Sequence, residues 1–396
     1  MIEHNRTWIE RTWSGHKKRV IALGGIVAAL AVASAALLAF AGSFGTTPTS
    51  ASPSTSMLAV ASPSATLMPS PTPTPTDSPT PAPSLTTGAT GIPAGWEYSD
   101  LDGVAAPAEL AHRLPLGLMI DDYKNARPQS GFSSASIVYQ AMIDDSSDRY
   151  MMVFQEGTTT DVGPVRSARP YFVYWAAEYK ALYGHFGGDA QALQRVIPAM
   201  AANIYNEDDL SGGSCPYHRI TTRVSPYNAY TNSAALIRCA AARNYPATYQ
   251  NLPVRTFTED APASARPASQ SVTIPYLAET IGYQYDPATN AYLRLVNKQL
   301  QVDPANKQQV IARNIVVMFQ AYSIVPSLDK LRPNVVNVGS GKAIVFEEGR
   351  AITGTWKKTS NTALTLLYDA TGNVIPLVRG EIFMQSVPIG TAVTYK

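Results

Sequence analysis

The chain is 396 residues long, with 15% charged residues and a formal net charge of +2. That balance excludes a polyanion-coating protein such as a nucleic-acid binder, which needs a clustered excess of Lys and Arg. Once non-globular segments are set aside, the length leaves room for two domains.

At the N-terminus, residues 1–19 hold Arg6, Arg11, Lys17, Lys18 and Arg19 against only Glu3 and Glu10. Val20 to Ala41 then reads VIALGGIVAALAVASAALLAFA, without a charge or a proline. Roughly twenty apolar residues suffice to cross about 30 Å of hydrocarbon as a helix. The basic cluster ahead of them predicts a cytoplasmic N-terminus, with everything downstream on the outer side of the cell membrane. Two fates stay open for residues 20–41: a retained single-pass anchor, or a signal segment cleaved at Ala39-Phe40-Ala41 and a secreted product. Export also frames Cys215 and Cys239, the two cysteines. An oxidising environment permits a disulfide between them, and two free thiols suit the sequence equally well.

Residues 42–95 change character, as in MPSPTPTPTDSPTPAPS (Met68 to Ser84), and Asp77 is the one charge in the stretch. Too few apolar residues are present to offset the entropy of ordering, which predicts a disordered Pro/Ser/Thr-rich linker.

Residues 96–252 alternate short apolar runs with helical ones. Strands are predicted at Leu116 to Ile120, Ala135 to Ile143, Tyr150 to Phe154 and Leu182 to Phe186. Helices are predicted at Pro170 to Leu182, with Pro in the first turn, at Ala190 to Met200, and at Thr231 to Ala242, where Asn232 or Thr231 can cap. This pattern predicts an α+β or α/β N-terminal domain. Residues 253–270 carry Pro253, Pro262 and Pro267 and read as a hinge. From 271 to 396, turn chemistry at Asp286 to Asn290, Glu347 to Arg350 and Asp369 to Asn373 separates apolar runs, predicting a mostly β C-terminal domain.

Familiar motifs fail. Gly339-Ser-Gly-Lys342 resembles the end of a phosphate loop but has Val336 and Ala343 in the wrong places, and reads as a turn between strands. No GxSxG elbow occurs. Only His112, His185 and His218 lie downstream of the apolar segment, without zinc-type spacing, so no metal and no cofactor are expected. A better constellation is Arg166-Ser-Ala-Arg169, just before the helix that begins at Pro170, where the helix dipole and two guanidinium groups favour an anion. The alternative is internal pairing with carboxylates such as Asp121 or Glu178. Asp121 and Asp122 end one strand, and His185 ends another before Gly187-Gly188-Asp189. Ligands gather at that edge of open α/β sheets, and these three residues are candidates for acid–base work.

The stretches Leu116 to Gly131 (LGLMIDDYKNARPQSG), Ile137-Val-Tyr139, Gly163 to Phe172 (GPVRSARPYF) and His185 to Gly188 resemble the YerB-like lipoprotein family, a bacterial envelope family of unknown function. Tyr285-Asp286, Tyr292-Leu-Arg294, Gly339 to Ala343 and Gly354-Thr-Trp356 are similar to the family's C-terminal domain. The resemblance covers the chain from about Leu114 to its end. It implies an envelope location and two linked domains, and it names no activity. Three departures stand out. The family's lipid-modified Cys after the apolar segment is missing, an acidic residue is replaced by Gln140, and a His-Asn pair by Tyr227-Asn228. Loss of an acid and a His disfavours a shared acid–base mechanism, whereas Arg127, Arg166, Arg169 and Arg219 remain. The expected ligand set is therefore Arg127, Arg166, Arg169, His185, Arg219 and Asn228, binding an anionic small molecule or a cell-wall polymer. A hydrolase or transferase using Asp121, Asp122 and His185 is the second reading, and a structural protein with no ligand the third. The oligomeric state is open.

Overall fold

A computed structural model describes residues 91–144, 147–210, 216–249, 251–328 and 330–396. The expected anchor at 20–41, the linker up to residue 90 and Cys215 lie outside the described residues. Among the described residues no helix is long and apolar enough to cross a membrane.

The main strands are Leu116–Asp121 (β1), Ile137–Met142 (β2), Asp148–Phe154 (β3), Leu182–His185 (β4) and Tyr205–Asp208 (β5) in the first half of this region. In the second half they are Ser271–Pro275 (β6), Thr280–Asp286 (β7), Ala291–Val296 (β8), Asn314–Gln320 (β9), Gly339–Glu347 (β10), Arg350–Lys358 (β11), Leu366–Asp369 (β12) and Ile382–Pro388 (β13). Ten of them form one sheet in the order β12-β11-β10-β9-β13-β2-β3-β1-β4-β5. The sheet passes without a break from one half into the other: β13 runs parallel to β2, with Ile382 opposite Ile137 and Gln385 opposite Gln140. The change of sequence pattern at 253–270 thus does not interrupt the sheet, and Phe257–Thr258 within it pairs with Leu377–Val378.

Strands buried on both faces read as unbroken apolar runs, because neither face can be polar. All six residues of β1 are buried. Leu118 and Ile120 pack on one face with Val138, Phe383 and the inward residues of β6 and β7, while Met119 packs on the other with Phe172 and Trp175. The second sheet, built on β6, β7 and β8, is antiparallel throughout. It covers the central sheet with one face only, so Val272 and Ile274 point in and Ser271, Thr273 and Pro275 point out.

The helices are short and the fold as a whole is mostly β, which fits the α+β alternative for the first half better than a layered α/β one. Pro170–Ala177 (α1) is apolar nearly all round because it is sunk against the sheet. It stops before the predicted Leu182 because Glu178 turns inward to meet Lys358 and Lys180 takes a left-handed φ of 47°. The predicted helix at Ala190 to Met200 forms over residues 190–199, widened to a π-helix at Ala192–Val196 before Ile197–Ala199, with Pro198 inside it. Ser233–Ala242 (α2) forms as predicted, and the Asn232 side chain accepts the Ala235 N–H at 2.8 Å as its cap. Gly339 to Lys342 opens strand β10 and is not a turn.

Candidate functional site

Strands β9, β13, β2, β1, β4 and β5 all point the same way, so their carboxyl ends share one edge of the sheet. The polar residues collect at this edge. Antiparallel β3 begins there, and Asp121 at the end of β1 stands opposite Arg149.

The outer layer is arginine and tyrosine. Arg166 presents Nε to Asp121 Oδ2 at 3.1 Å, and its guanidinium carbon lies 5.8 Å from the centre of the Tyr227 ring. Tyr227 in turn stacks on the exposed Tyr123, with centroids 6.0 Å apart and planes 8° from parallel. The terminal nitrogens of Arg166 have no partner among the described residues. Arg219 lies 4.8 Å over the Phe186 ring and donates to Asn228 Oδ1 at 2.6 Å. Main-chain bonding links the two arginines, since the Phe186 N–H donates to the Arg166 carbonyl. The Arg219 to Asn228 hairpin is pinned over the edge by Arg223, which donates to the carbonyls of Ala126 and Pro128. Beneath, Arg149 is buried and donates to the Ser167 carbonyl at 2.7 Å. Burial, with Arg169 and Arg166 nearby, lowers it to about 10.

The inner layer is acidic. Asp122, Asp148 and Glu279 are all buried, with one oxygen of each within 4.8 Å of the others. Asp122 Oδ1 accepts from Arg127 Nε at 3.0 Å and from Gln129. Glu279 Oε1 accepts from Gln140 at 3.1 Å and from the Tyr150 hydroxyl at 3.3 Å, while Oε2 pairs with Arg127. Gln140 also accepts from Arg294 at 2.9 Å. Arg294 is itself enclosed by the rings of Phe132, Tyr150, Tyr283 and Phe383. Neither oxygen of Asp148 has a hydrogen-bond partner, and Asp122 Oδ2 has none either. Burial first and Asp122 second raise Glu279 to about 8. Asp148 is raised well above the usual carboxylate range by burial and by the charges of Asp122 and Glu279.

The predicted site residues therefore divide. Asp121, Asp122, Arg127 and Arg166 meet at one edge. Arg169 is held away in internal pairs, bidentate to Asp144 at 3.0 Å and 3.7 Å from Asp189. His185 is fully buried, with Nδ1 on the Gly187 carbonyl and Nε2 on Asn206, both at 2.8 Å. No hydrogen bond joins it to Asp121 or Asp122. Gly187, at φ +65°, serves this turn: its N–H donates to Asp208 and its carbonyl takes the histidine. Asp189 accepts the Ala192 N–H and so opens the next turn.

Asp148, Arg149, Glu279, Arg294 and Tyr123 are not among the site residues that the sequence predicts. For Asp148 and Arg149 a signal existed, because two charges directly precede the apolar run Tyr150 to Phe154. Glu279 carries none, since it arrives from the loop between β6 and β7. Gln140 and Tyr227, two of the departures from the family pattern, fall in the inner and outer layers respectively.

Comparison with known proteins gives a consistent result. Residues 101–246 match the model described as "Protein of unknown function (DUF3048) N-terminal domain", and residues 272–384 match the DUF3048 C-terminal domain. The chain is 27% identical over 294 residues to "Putative lipoprotein YerB" of Bacillus subtilis (strain 168), covering 73% of this chain and 85% of that protein. The crystal structure of YerB from Bacillus subtilis superposes with a TM-score of 0.66 at 23% identity, over 76% of this chain and 99% of the other, and so shares the fold.

Proposed function

The chain belongs to the DUF3048 family of unknown function, and on that premise we propose that it is an envelope-anchored binding protein for an anionic or glycan ligand. The observation that carries this reading is Arg166. Asp121 Oδ2 stands 3.1 Å from its Nε as an ion pair, Tyr227 lies under its plane, and its terminal nitrogens are left available. A guanidinium held in that way presents a planar fork suited to carboxylate or phosphate oxygens, and the stacked Tyr123 and Tyr227 add flat apolar faces beside it. Arg219 supplies a second exposed cation on the same hairpin as Tyr227. The enzymatic alternative draws nothing from His185, whose two ring nitrogens are both engaged.

The likeness to a lipoprotein supports an extracytoplasmic position. In this chain the apolar segment at 20–41 takes the place of a lipid anchor, with the Pro/Ser/Thr-rich linker as a spacer. Binding of the detergent-solubilised full chain to a panel of wall polymers and anionic glycans tests the reading. Salt-sensitive binding that falls at least tenfold in Arg166→Lys and in Tyr227→Ala is expected. Binding that ignores ionic strength and both substitutions would sink it.

A further inference from the structure

We propose that Asp122, Asp148 and Glu279 form a binding site for one hard divalent cation of the Ca2+ class. Ionised carboxylates taken out of water cost several kcal/mol each unless they are paired, and buried polar groups are almost always satisfied. Asp148 breaks that rule completely. It is 0% exposed, it begins a central strand, and neither of its oxygens meets a donor. It is aimed at two other buried acids, and the second oxygen of Asp122 is equally unmet.

Charge and geometry both favour a cation. Fully ionised, the three carboxylates exceed by one the two guanidinium groups that face them, those of Arg127 and Arg294, and a cation would make up the difference. Arg127 is directed to Asp122 and Glu279, and Arg294 to Gln140, Tyr150 and Tyr283, which leaves Asp148 with neither. Oxygens that share one Ca2+ at 2.3–2.6 Å stand at most about 5 Å apart, and the three acids already meet that limit. Asp148 can offer both oxygens, Asp122 its free Oδ2, and Glu279 an oxygen now shared with Arg127. All are hard oxygen ligands, which selects against soft metals. Arg127, whose side chain is 24% exposed, is the member of this group that reaches solvent, so its movement would admit the ion.

The ligands come from β1, β3 and the β6–β7 loop, so the ion would tie the two halves of the chain together. Tyr150, hydrogen-bonded to Glu279, provides a direct probe, because a tyrosine beside a bound Tb3+ sensitises its luminescence. Titration of the full chain with Tb3+ should give a saturable signal that Ca2+ displaces. Ca2+ should also raise the melting temperature, and Asp148→Asn should lower the affinity at least tenfold and abolish that rise. Weak sites of this class bind at about 0.1–1 mM. Absence of both a saturable Tb3+ signal and a thermal shift at about 10 mM Ca2+ would overturn the proposal, as would an unchanged response in Asp148→Asn. If that variant fails to fold, the wild-type titrations still decide.

Discussion

Two buried charge clusters touch the same strand from opposite faces, and they are built in opposite ways. Consecutive strand residues point to opposite sides, so Tyr139 of β2 faces Glu178 while its neighbour Gln140 faces Glu279. Around Glu178 everything is matched. One oxygen accepts from Lys358 Nζ at 2.8 Å and Thr365 Oγ1 at 2.7 Å, and the other accepts the Thr365 N–H at 3.0 Å. Arg255 stands 3.7 Å away. Around Asp148 nothing is matched. Burial of charge is therefore not by itself a sign of function. The matched cluster behaves as a structural lock between the halves of the chain, and the unmatched one as a place that awaits something.

Substitutions can break or sharpen this contrast. Lys358→Met should have the largest effect, because it leaves Glu178 charged and buried with its closest cation gone. A loss of about 3–5 kcal/mol in denaturant unfolding is expected, and a loss under about 1 kcal/mol would show that the lock is not one.

Glu347 is an intermediate case, buried with the Val378 N–H at 3.2 Å as its partner. Burial raises it from 4.5 to about 7, with the Val378 N–H opposing the rise and Glu348 adding to it. The folded chain then keeps this proton up to about pH 7, whereas the unfolded chain loses it near 4.5. Folding takes up a proton in that window, so stability falls as pH rises through it, by about 3 kcal/mol in all. Glu347→Gln should remove this slope from a pH series of melting curves, and an unchanged slope would count against the assignment.

Asp148→Asn tests the unmatched cluster from the other side. In chelator it should change stability by less than about 1 kcal/mol, since the carboxyl it replaces holds a proton when no cation is bound and has no hydrogen bond to lose. A loss comparable to that of Lys358→Met would mean that Asp148 has a structural partner. The smallest effect on stability is expected at the outer layer. Arg166→Lys keeps a cation beside Asp121 and should change stability by no more than about 0.5 kcal/mol, while the loss of the planar fork weakens ligand binding.

Much of the framework was legible in the residues. The apolar runs that make up most of β1, β2 and β3 form where both faces are covered, and Asn232 ahead of an alanine-rich run marks the start of α2. The placement of Asp121 and Asp122 at a strand edge also followed from their position after such a run, whereas Arg166 was legible only as a neighbour of the helix at Pro170 and Arg127 only through the family resemblance. Helix ends were less readable, because α1 stops where Glu178 finds Lys358, a residue 180 positions away in sequence. His185 looked available from its place at a strand end, but its ring is consumed by Gly187 and Asn206.

Local pattern thus determined which segments become strands and which edge carries the polar residues, since periodicity and capping act over a few neighbouring positions. The pairing of charges was decided only by the tertiary structure. Glu279 reaches Gln140 across 139 positions, and Lys358 reaches Glu178 across 180. Whether a buried carboxylate is satisfied depends on such long-range partners, which the continuous sheet brings together and no local spacing encodes.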